Sequence, residues 1–517
     1  MSKLQPGGGL KAVCVALLLV AESGYAANSP ETFTCSARGG PEWREYRSKH
    51  FLVATDAPKD AAAALIKRLE RIYAMVMQAM IGEEVDLPAR THVIAFGNSA
   101  QFDELAPGYG GYHAITSTQA VIVIPVGQLN ADPEAVAHEL VHHLSWFLFA
   151  RQPRWFSEGL AQFIQTVASD RIDNDPHLAT GSHIVRGDTH LEGGVGVIPH
   201  NSSYALQQIP PVKVKGLLSW THGADAAAET PYYLQSWLLY HWLWNNRSKE
   251  FTEFQKRLSA AEDPNTAWRA ALPEFDPLKP GALESLDKKL EQYRRSARYV
   301  FYRVKGEGDP NFTELKLPPA EVHLLLVDDR SRSTKPELRD ALVRAELDEA
   351  LREDPTQPLA IARRAKLDNN WALPALRSSV SARPKDARAW LLLGRALSEV
   401  GNQPEAEKAY RNAVALDADN ADAQNTLAAF LVTKGQHKEA LPFANRAVDL
   451  APWDESCIDT LAAVAKGLGK CSEALLLQRR AVSLLEIDAT RAATARDEAY
   501  TKRLREYETG CAPSAKK

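Results

Sequence analysis

Residues 138–161 read HELVHHLSWFLFARQPRWFSEGLA, and they carry the strongest structural signal in the chain. Just before them, residues 132–134 (DPE) offer an N-cap, a proline for the first helical position and an acid for the first turn. Apolar residues then recur at helical spacing up to Phe149, and Pro153 ends the pattern. We therefore predict one helix that begins near Asp132 and stops before Pro153.

Two histidines in this helix, His138 and His142, stand four positions apart, with Glu139 directly after the first. Residues at that spacing share one helix face, with Cβ atoms about 5–6 Å apart, so both imidazoles can reach one metal ion. Zinc accepts nitrogen and oxygen ligands, and its catalytic sites use three protein ligands. We predict that His138 and His142 bind one Zn²⁺ per chain and that Glu139 accepts a proton from water.

A third ligand is expected from a second helix, which follows a turn at residues 151–154. Ser157 is an N-cap candidate for that helix, and this assignment places Glu158 in its first turn. The Glu158 carboxylate is therefore the predicted third zinc ligand. His143 faces about 100° away from the ligand pair and is not expected to bind the same ion.

These residues resemble the gluzincin branch of the zinc metallopeptidases, the peptidase MA-like family. In that family HExxH is followed by a Glu ligand in a Trp-x-x-Glu-Gly-x-Ala segment. The resemblance covers about residues 42–271 and implies a hydrolase that cleaves a peptide or protein substrate. It assigns His138, His142 and Glu158 as zinc ligands and Glu139 as the general base.

Two departures separate the chain from thermolysin, a well-known gluzincin. The spacer of 15 residues between His142 and Glu158 is shorter, which requires a tight helix-turn-helix. Thermolysin also has an acid one turn after its Glu ligand, and Gln162 stands there in this chain. Carboxylates in that position orient ligand imidazoles, so the residues that orient His138 and His142 stay unassigned.

A further hydrogen-bond donor is expected in the site, because negative charge develops on the substrate oxygen during peptide hydrolysis. Tyr232, Tyr233 and His241 follow the zinc ligands in the chain, and each is a candidate. The other interpretation is aromatic packing in a Trp-rich helix, and it applies to at least two of the three.

The rest of the N-terminal half has the pattern of a mixed α and β domain. Residues 51–54, 91–96 and 120–124 are rich in β-branched and aromatic residues and predict strands. Residues 59–81 predict an amphipathic helix. We predict an α+β zincin-like domain over residues 27–340.

The C-terminal third repeats with a period of 34 residues. Five columns keep one residue type in three consecutive units: Gly401, Gly435, Gly469; Ala406, Ala440, Ala474; Ala413, Ala447, Ala481; Leu393, Leu427, Leu461; Leu416, Leu450, Leu484. Small residues fall where two helices approach, and leucines follow at helical spacing. This pattern predicts an all-α solenoid of helical hairpins that bury their apolar faces by stacking.

The units resemble tetratricopeptide repeats (TPRs), most clearly at Trp390, Leu393, Gly394, Ala406, Tyr410 and Ala413. We predict three repeats over residues 387–488. Residues 341–386 are expected to form a linker with a degenerate helical repeat, and residues 489–517 a capping helix and tail. The resemblance implies a protein partner on the concave surface of the repeats, and a purely structural role is the alternative.

The first 26 residues predict a signal peptide, because two lysines flank the start of a short apolar run that small residues follow. The run is too short for a transmembrane helix, which needs about 18 apolar residues. The chain is therefore expected to be exported, to a periplasm or out of the cell, without a membrane span. Export permits disulfides among Cys35, Cys457, Cys471 and Cys511. The pairing of Cys471 with Cys511 is favoured, since it ties the tail to the last repeat.

The overall charge excludes one class of function. The chain has 61 Lys and Arg against 65 Asp and Glu, a formal charge of −4, and 45% hydrophobic residues. This is the balance of an ordinary folded protein. Nucleic-acid binding requires a surplus of clustered basic residues, so no nucleic-acid partner is expected.

Two functional hypotheses remain. The first is an exported zinc peptidase whose repeats recruit a substrate or another protein. The second is a binding or assembly protein in which the zincin-like domain is catalytically idle. The presence of Glu139 favours the first, because an idle domain has no chemical need for it. The two parts are expected to be separable, so that removal of residues 353–517 leaves cleavage of short peptides intact.

Overall fold

The computed structural model describes residues 32–106, 111–116, 119–127, 133–168, 193–198, 203–221, 226–296, 299–368, 372–485 and 495–510. The predicted signal peptide, Asp132 and Cys511 lie outside these ranges. Among the described helices, none combines the length and the apolar character needed to cross a membrane.

A six-stranded mixed sheet forms the first layer of the N-terminal part. Its strands are β1 (Arg44–Ser48), β2 (Phe51–Thr55), β3 (Thr91–Phe96), β4 (Tyr112–Thr116), β5 (Gln119–Pro125) and β8 (Phe312–Lys316), in the order β4-β5-β3-β2-β1-β8. β3 pairs in parallel with β2 and β5, and the other pairs are antiparallel. Val93 lies opposite Val53 and Ile122, and all three are buried. The three predicted strands are confirmed.

Helices cover this sheet and extend from it. They are α1 (Lys59–Ile81), α2 (Ser99–Leu105), α3 (Pro133–Leu148), α4 (Arg154–Ile164), α5 (Ser203–Gln208), α6 (Val214–Leu218), α7 (Ala226–Asn246), α8 (Ser248–Ser259), α9 (Pro264–Ala271) and α10 (Ala282–Ser296). β6 (Gly193–Val195) and β7 (Tyr302–Val304) form a separate two-stranded sheet. α1 has the predicted bounds and presents Leu65, Leu69 and Val76 to the main core.

α4 and α7 pack very closely, and Gly159 permits this. A Cβ atom at Gly159 would lie 2.7 Å from the carbonyl oxygen of Ser236 and 2.9 Å from Cβ of Tyr240. Around this contact the core contains Trp155 and Phe156, both buried. The helix that carries Glu158 is therefore packed tightly against the core behind it.

The C-terminal part is a continuous array of helices. They are α11 (Pro319–Ser333), α12 (Pro336–Glu353), α13 (Pro358–Asp368), α14 (Ala372–Ala382), α15 (Ala387–Glu399), α16 (Gln403–Leu416), α17 (Ala421–Thr433), α18 (His437–Leu450), α19 (Glu455–Gly467), α20 (Cys471–Leu485) and α21 (Ala495–Gly510). The three predicted units are the hairpins α15/α16, α17/α18 and α19/α20. Two more hairpins, α11/α12 and α13/α14, precede them, and residue 340 lies inside α12.

The recurring glycines end the first helix of each unit. Gly401, Gly435 and Gly469 have φ angles of 79°, 72° and 78°. This left-handed conformation disfavours residues with a Cβ atom and stops a helix at that point. The glycine column of the 34-residue period is therefore explained by the turn it forms.

The N-terminal segment is bonded to the helical array. The backbone N–H of Phe33 donates to Oε1 of Glu346 at 2.7 Å, and Arg38 pairs with Glu349 at 3.2 Å. Both acids belong to α12. The segment ahead of β1 thus links the sheet to the first hairpin of the array.

The cysteines differ in state. Cys471 is disulfide-bonded, whereas Cys35 and Cys457 are buried free thiols. The partner favoured by the sequence, Cys511, is outside the described residues, so the predicted pairing stays a prediction.

The repeats touch the N-terminal part at the turn between α18 and α19. Trp453, which is buried, packs against His143 and Phe147 of α3, with ring centroids 5.2 Å and 5.6 Å apart. The consensus of the 34-residue repeat does not predict this contact, and the expectation that the two parts are separable did not include it.

Candidate metal centre

The site is built by the hairpin of α3 and α4. α4 begins at Arg154, because Pro153 has a φ of −72° and its carbonyl accepts the backbone N–H of Ser157 at 3.1 Å. The predicted N-cap at Ser157 is therefore wrong: Ser157 is inside the helix and Glu158 is in its second turn. Because α4 begins at Arg154, the side chains of Ser157 and Glu158 point toward α3.

The three predicted zinc ligands converge. One ligand atom each from His138, His142 and Glu158 lies within 4.8 Å of the others. The two Nε2 atoms are 3.0 Å apart, and each is 3.4 Å from Oε2 of Glu158. The side chains are 18%, 16% and 12% exposed, so they line a largely enclosed site that solvent still reaches.

These distances suit a tetrahedral zinc ion. Donor atoms about 2.0–2.1 Å from such an ion lie roughly 3.3 Å from each other, close to the three separations here. Oε2 of Glu158 is buried and forms no hydrogen bond among the described residues, as a ligand atom reserved for a metal would. The donor set of two imidazoles and one carboxylate fits the three protein ligands of catalytic zinc.

Each ligand histidine is oriented by a neutral side chain. Nδ1 of His138 is 2.7 Å from Oε1 of Gln165, and Nδ1 of His142 is 3.0 Å from Oγ of Ser157. When Nδ1 donates to these oxygens, the lone pair of Nε2 is free for a metal. Gln165 is itself held by Glu134, at 3.3 Å.

The sequence prediction missed both partners. Gln162, the position considered for this role, instead donates to the carbonyl of Tyr233 at 3.0 Å. Gln165 stands seven residues after Glu158, which returns it to nearly the same helix face. That spacing is the signal that identifies it.

The histidines and Glu158 each stabilise the charged form of the other. Burial acts to lower the pKa of His138, but its interactions with Glu158 outweigh burial and raise that pKa to about 9. Burial acts to raise the pKa of Glu158, but the charge of His142 and polar contacts with both histidines hold it well below its usual range. Glu158 is thus kept as a carboxylate.

Glu139 is next to His138 on α3 and is half-buried. Its negative charge also contributes to the raised pKa of His138, which places the carboxylate in the field of the ligand group.

Of the three candidate donors, Tyr233 is affected by the charge of the predicted ligand Glu158. Burial, reinforced by the charge of Glu158, raises the pKa of Tyr233 to about 12, so its phenol stays protonated. Its hydroxyl accepts a hydrogen bond from Arg154 at 3.0 Å. Arg154 also pairs with Glu229 at 2.9 Å and lies 4.4 Å over the ring of Trp220.

The other two candidates have structural contacts. Tyr232 stacks on Trp220 with ring centroids 5.1 Å apart. His241 is fully buried, and its Nε2 is 3.1 Å from the carbonyl oxygens of Gly196 and Val300. Its Nδ1 is 2.9 Å from the hydroxyl of Tyr293. The packing interpretation therefore holds for Tyr232 and His241.

His143 points to the rear of α3, as predicted. It is buried, and its ring lies 5.7 Å from that of His113, centroid to centroid. Burial lowers the pKa of His143 to about 3, so the ring is neutral.

Comparisons with known proteins concern the repeats. Residues 366–492, about a quarter of the chain, match the family model described as the cytochrome c-type biogenesis protein H TPR domain. The chain therefore contains a TPR domain, and the predicted all-α repeat solenoid is confirmed. No curated protein sequence matches the chain.

Solved TPR proteins resemble the chain at low identity. The MamA protein is 19% identical over 34% of this chain and 96% of its own, with a TM-score of 0.24. A thermophilic TPR protein from Thermus thermophilus is 18% identical over 37% of this chain and 99% of its own, with a TM-score of 0.29. YrrB, described as a TPR protein with an unusual peptide-binding site, is 16% identical over 36% and 91%, with a TM-score of 0.26. These similarities carry no inference about function.

Proposed function

We propose that this protein is a zinc metallopeptidase of the gluzincin type, with an α+β zincin-like domain that hydrolyses peptide bonds. The observation that carries the proposal is the convergence of His138, His142 and Glu158 to zinc-ligand spacing beside Glu139. All four residues fall on the α3/α4 hairpin, and the two histidines are already oriented by Gln165 and Ser157.

His138, His142 and Glu158 are the residues that would hold the ion. A bound zinc ion supplies Lewis acidity, which polarises a carbonyl group and makes water acidic near neutral pH. Glu139 takes the proton of the attacking water on its carboxylate and passes it to the leaving amine. No covalent bond to the protein is needed.

Tyr233 is the proposed donor to the negative charge that develops on the substrate oxygen. Its phenol is protonated, and its hydroxyl accepts from Arg154, so its own proton is available to another acceptor. Glu229 accepts a hydrogen bond from Arg154 and so fixes the position of its guanidinium group. The guanidinium in turn orients the hydroxyl of Tyr233.

A peptide substrate is supported by the position of β4. This strand is at the edge of the sheet, antiparallel to β5, and it packs against α3. An edge strand offers backbone N–H and C=O groups that can pair with an extended peptide. A substrate bound in this way lies beside the helix that carries His138 and His142.

Export is part of the proposal, to a periplasm or to the exterior. The signal-peptide pattern at residues 1–26 supports it. The disulfide at Cys471 supports it independently, because stable disulfides form mainly in oxidising compartments.

The repeats are proposed to recruit a protein partner or substrate, since TPR domains suggest protein binding. The second candidate function is a binding or assembly protein whose zincin-like domain is idle. The family match favours it, because that match covers residues 366–492, in the repeat-containing C-terminal part of the chain.

The test compares Glu139→Gln and His142→Ala with the wild type. We expect Glu139→Gln to keep one zinc per chain and to lose about 10²- to 10⁴-fold in the rate of peptide cleavage, because only the general base is lost. We expect His142→Ala to lose both. Zinc is measured by elemental mass spectrometry, and cleavage with a quenched-peptide library with and without chelator.

The matched control is Glu83→Gln, which makes the same change at an exposed position after α1. It should behave as wild type. Cleavage by Glu139→Gln at the wild-type rate would refute the mechanism, and zinc without cleavage in the wild type would select the idle-domain candidate.

A further inference from the structure

One turn of the repeat array departs from the 34-residue period. Residues 451–454 connect the second and third repeats, and all four are buried. In the two preceding units the position of Trp453 is occupied by Asp419 and Lys385, both exposed. A tryptophan therefore replaces a charged residue at this turn, which meets the N-terminal part.

Trp453 fills a cluster behind the metal centre. It contacts His143, the residue directly after the ligand His142, and Phe147 one turn later. The cluster also contains Ala89, Ala120, Trp146, Ala421, Ala447, Val448, Leu450, Ala451 and Cys457. Side chains from β5, α3 and the second and third repeats therefore form one small apolar core.

The turn is rigid from the repeat side. The guanidinium of Arg480, which is buried, donates to the carbonyl of Pro452 at 2.7 Å. Asp454 caps α19 through the backbone N–H groups of Ser456 and Cys457, at 2.8 Å and 2.9 Å. Trp453 is thus presented by a braced turn rather than by a loose loop.

We infer that Trp453 is a positioning residue for the metal centre: it sets the rotation and depth of α3, and so the spacing of the ligand atoms of His138 and His142. The inference rests on the proposed function for the identity of the metal. A helix moves as one body, so a cavity behind His143 lets α3 relax toward the repeats and draws His142 with it.

The test uses the full-length chain and measures zinc affinity by chelator competition. Trp453→Asp gives this turn the residue of the preceding repeat, which folds with an aspartate there. We expect this variant to bind zinc about tenfold or more weakly, the range seen when groups that orient ligands are lost. The visible spectrum of the Co²⁺-loaded protein should change with it, because it reports ligand geometry.

Two controls separate positioning from general damage. Lys385→Ala changes the matched position in the degenerate repeat that precedes the first unit, and it should leave zinc affinity unchanged. Trp453→Phe keeps an aromatic ring at the contact and should recover most of the affinity lost in Trp453→Asp. Circular dichroism of each variant checks that the helices are intact.

The outcomes are distinct. Wild-type zinc affinity in Trp453→Asp overturns the inference, and so does an equal loss in Lys385→Ala. A wild-type chain that binds zinc without cleaving peptides refutes the proposed function and leaves the inference standing, since affinity is the readout. A wild-type chain that binds no zinc overturns both.

Discussion

At the scale of single residues, the orientation of the ligand histidines depends on neutral oxygens. Gln165 and Ser157 fill the role that carboxylates have in many zinc sites. A neutral acceptor holds the imidazole in the correct tautomer without adding negative charge behind it. The total charge of the site then depends on Glu158 and Glu139.

Gln165→Ala removes the acceptor for Nδ1 of His138. We expect zinc affinity to fall about 10- to 100-fold, because the ring loses its fixed orientation. Gln165→Glu keeps an acceptor oxygen but loses the hydrogen bond to Glu134, so it should recover only part of this affinity. Chelator competition measures both variants, and equal affinity in Gln165→Ala would show that the packing of the ring alone orients it.

We expect His241 to make the stability of the fold sensitive to acid, independently of the predicted zinc ligands. Burial lowers the pKa of His241 to about 4, below the value of about 6.5 in an unfolded chain. The unfolded state therefore binds a proton first, so the stability from this group is complete above pH 6.5 and is lost as the pH falls toward 4. The loss amounts to about 3 kcal/mol.

The measurement is urea unfolding between pH 7 and pH 4 for wild type and His241→Gln. The glutamine does not titrate, so the variant should show a shallower decline in the free energy of unfolding. Parallel pH profiles would assign the acid sensitivity to other groups, such as the buried His143, whose pKa is lowered to about 3.

At the scale of elements, the pairing of α4 with α7 sets where Glu158 lies. The next residue, Gly159, meets the backbone of α7, so the two helices are as close as their main chains allow. Any side chain there pushes α4 away and carries Glu158 with it.

Gly159→Ala is therefore expected to destabilise the fold by about 1–3 kcal/mol, as overpacking of a filled core does. Gly216→Ala is the matched control in α6, where the new Cβ meets its nearest neighbour at 3.5 Å, an ordinary contact. It should be neutral or stabilise by about 0.5–1 kcal/mol through its helix propensity. Thermal unfolding compares the two, and equal melting temperatures would contradict the close packing of α4 on α7.

The sequence predicts correctly those helices and strands whose bounds are set by short-range sequence patterns. α1 and β3 have the predicted bounds because an amphipathic period and a β-branched run define them. The predicted start of α4 is four residues late, because both Pro153 and Ser157 can begin a helix and only the packed structure selects Pro153. Gln165 was missed because its role depends on how α3 and α4 meet.

At the scale of the whole molecule, the 34-residue period predicted the repeats but not where they dock. The period itself contains a signal for docking, which is the tryptophan at 453 in a column of charged residues. The contact of Trp453 with α3 is found by looking for the residue that departs from the repeat pattern, rather than for the residues that follow it.

Removal of residues 353–517 takes away Trp453 and uncovers Trp146 and Phe147. We expect the shortened chain to aggregate or to lose at least about tenfold in kcat/KM for short peptides, contrary to the expectation of separable parts. A chain that ends at residue 494 loses α21 and the tail with Cys511 but keeps Trp453, and it should keep its activity. Peptide cleavage and sedimentation measure both, and full activity without residues 353–517 would restore the separable view.

The pairing of β1 with β8 also governs the order in which the chain is able to fold. Ser48 pairs with Phe312, and Phe33 bonds to Glu346, so both contacts close loops of more than 260 residues. When the chain emerges N-terminus first, the edge of β1 that pairs with β8 stays open until about three fifths of the chain has emerged. Closing such long loops is slow, and unpaired strand edges aggregate meanwhile. The interval before β8 has emerged is therefore the stage of folding at which this chain most needs a chaperone.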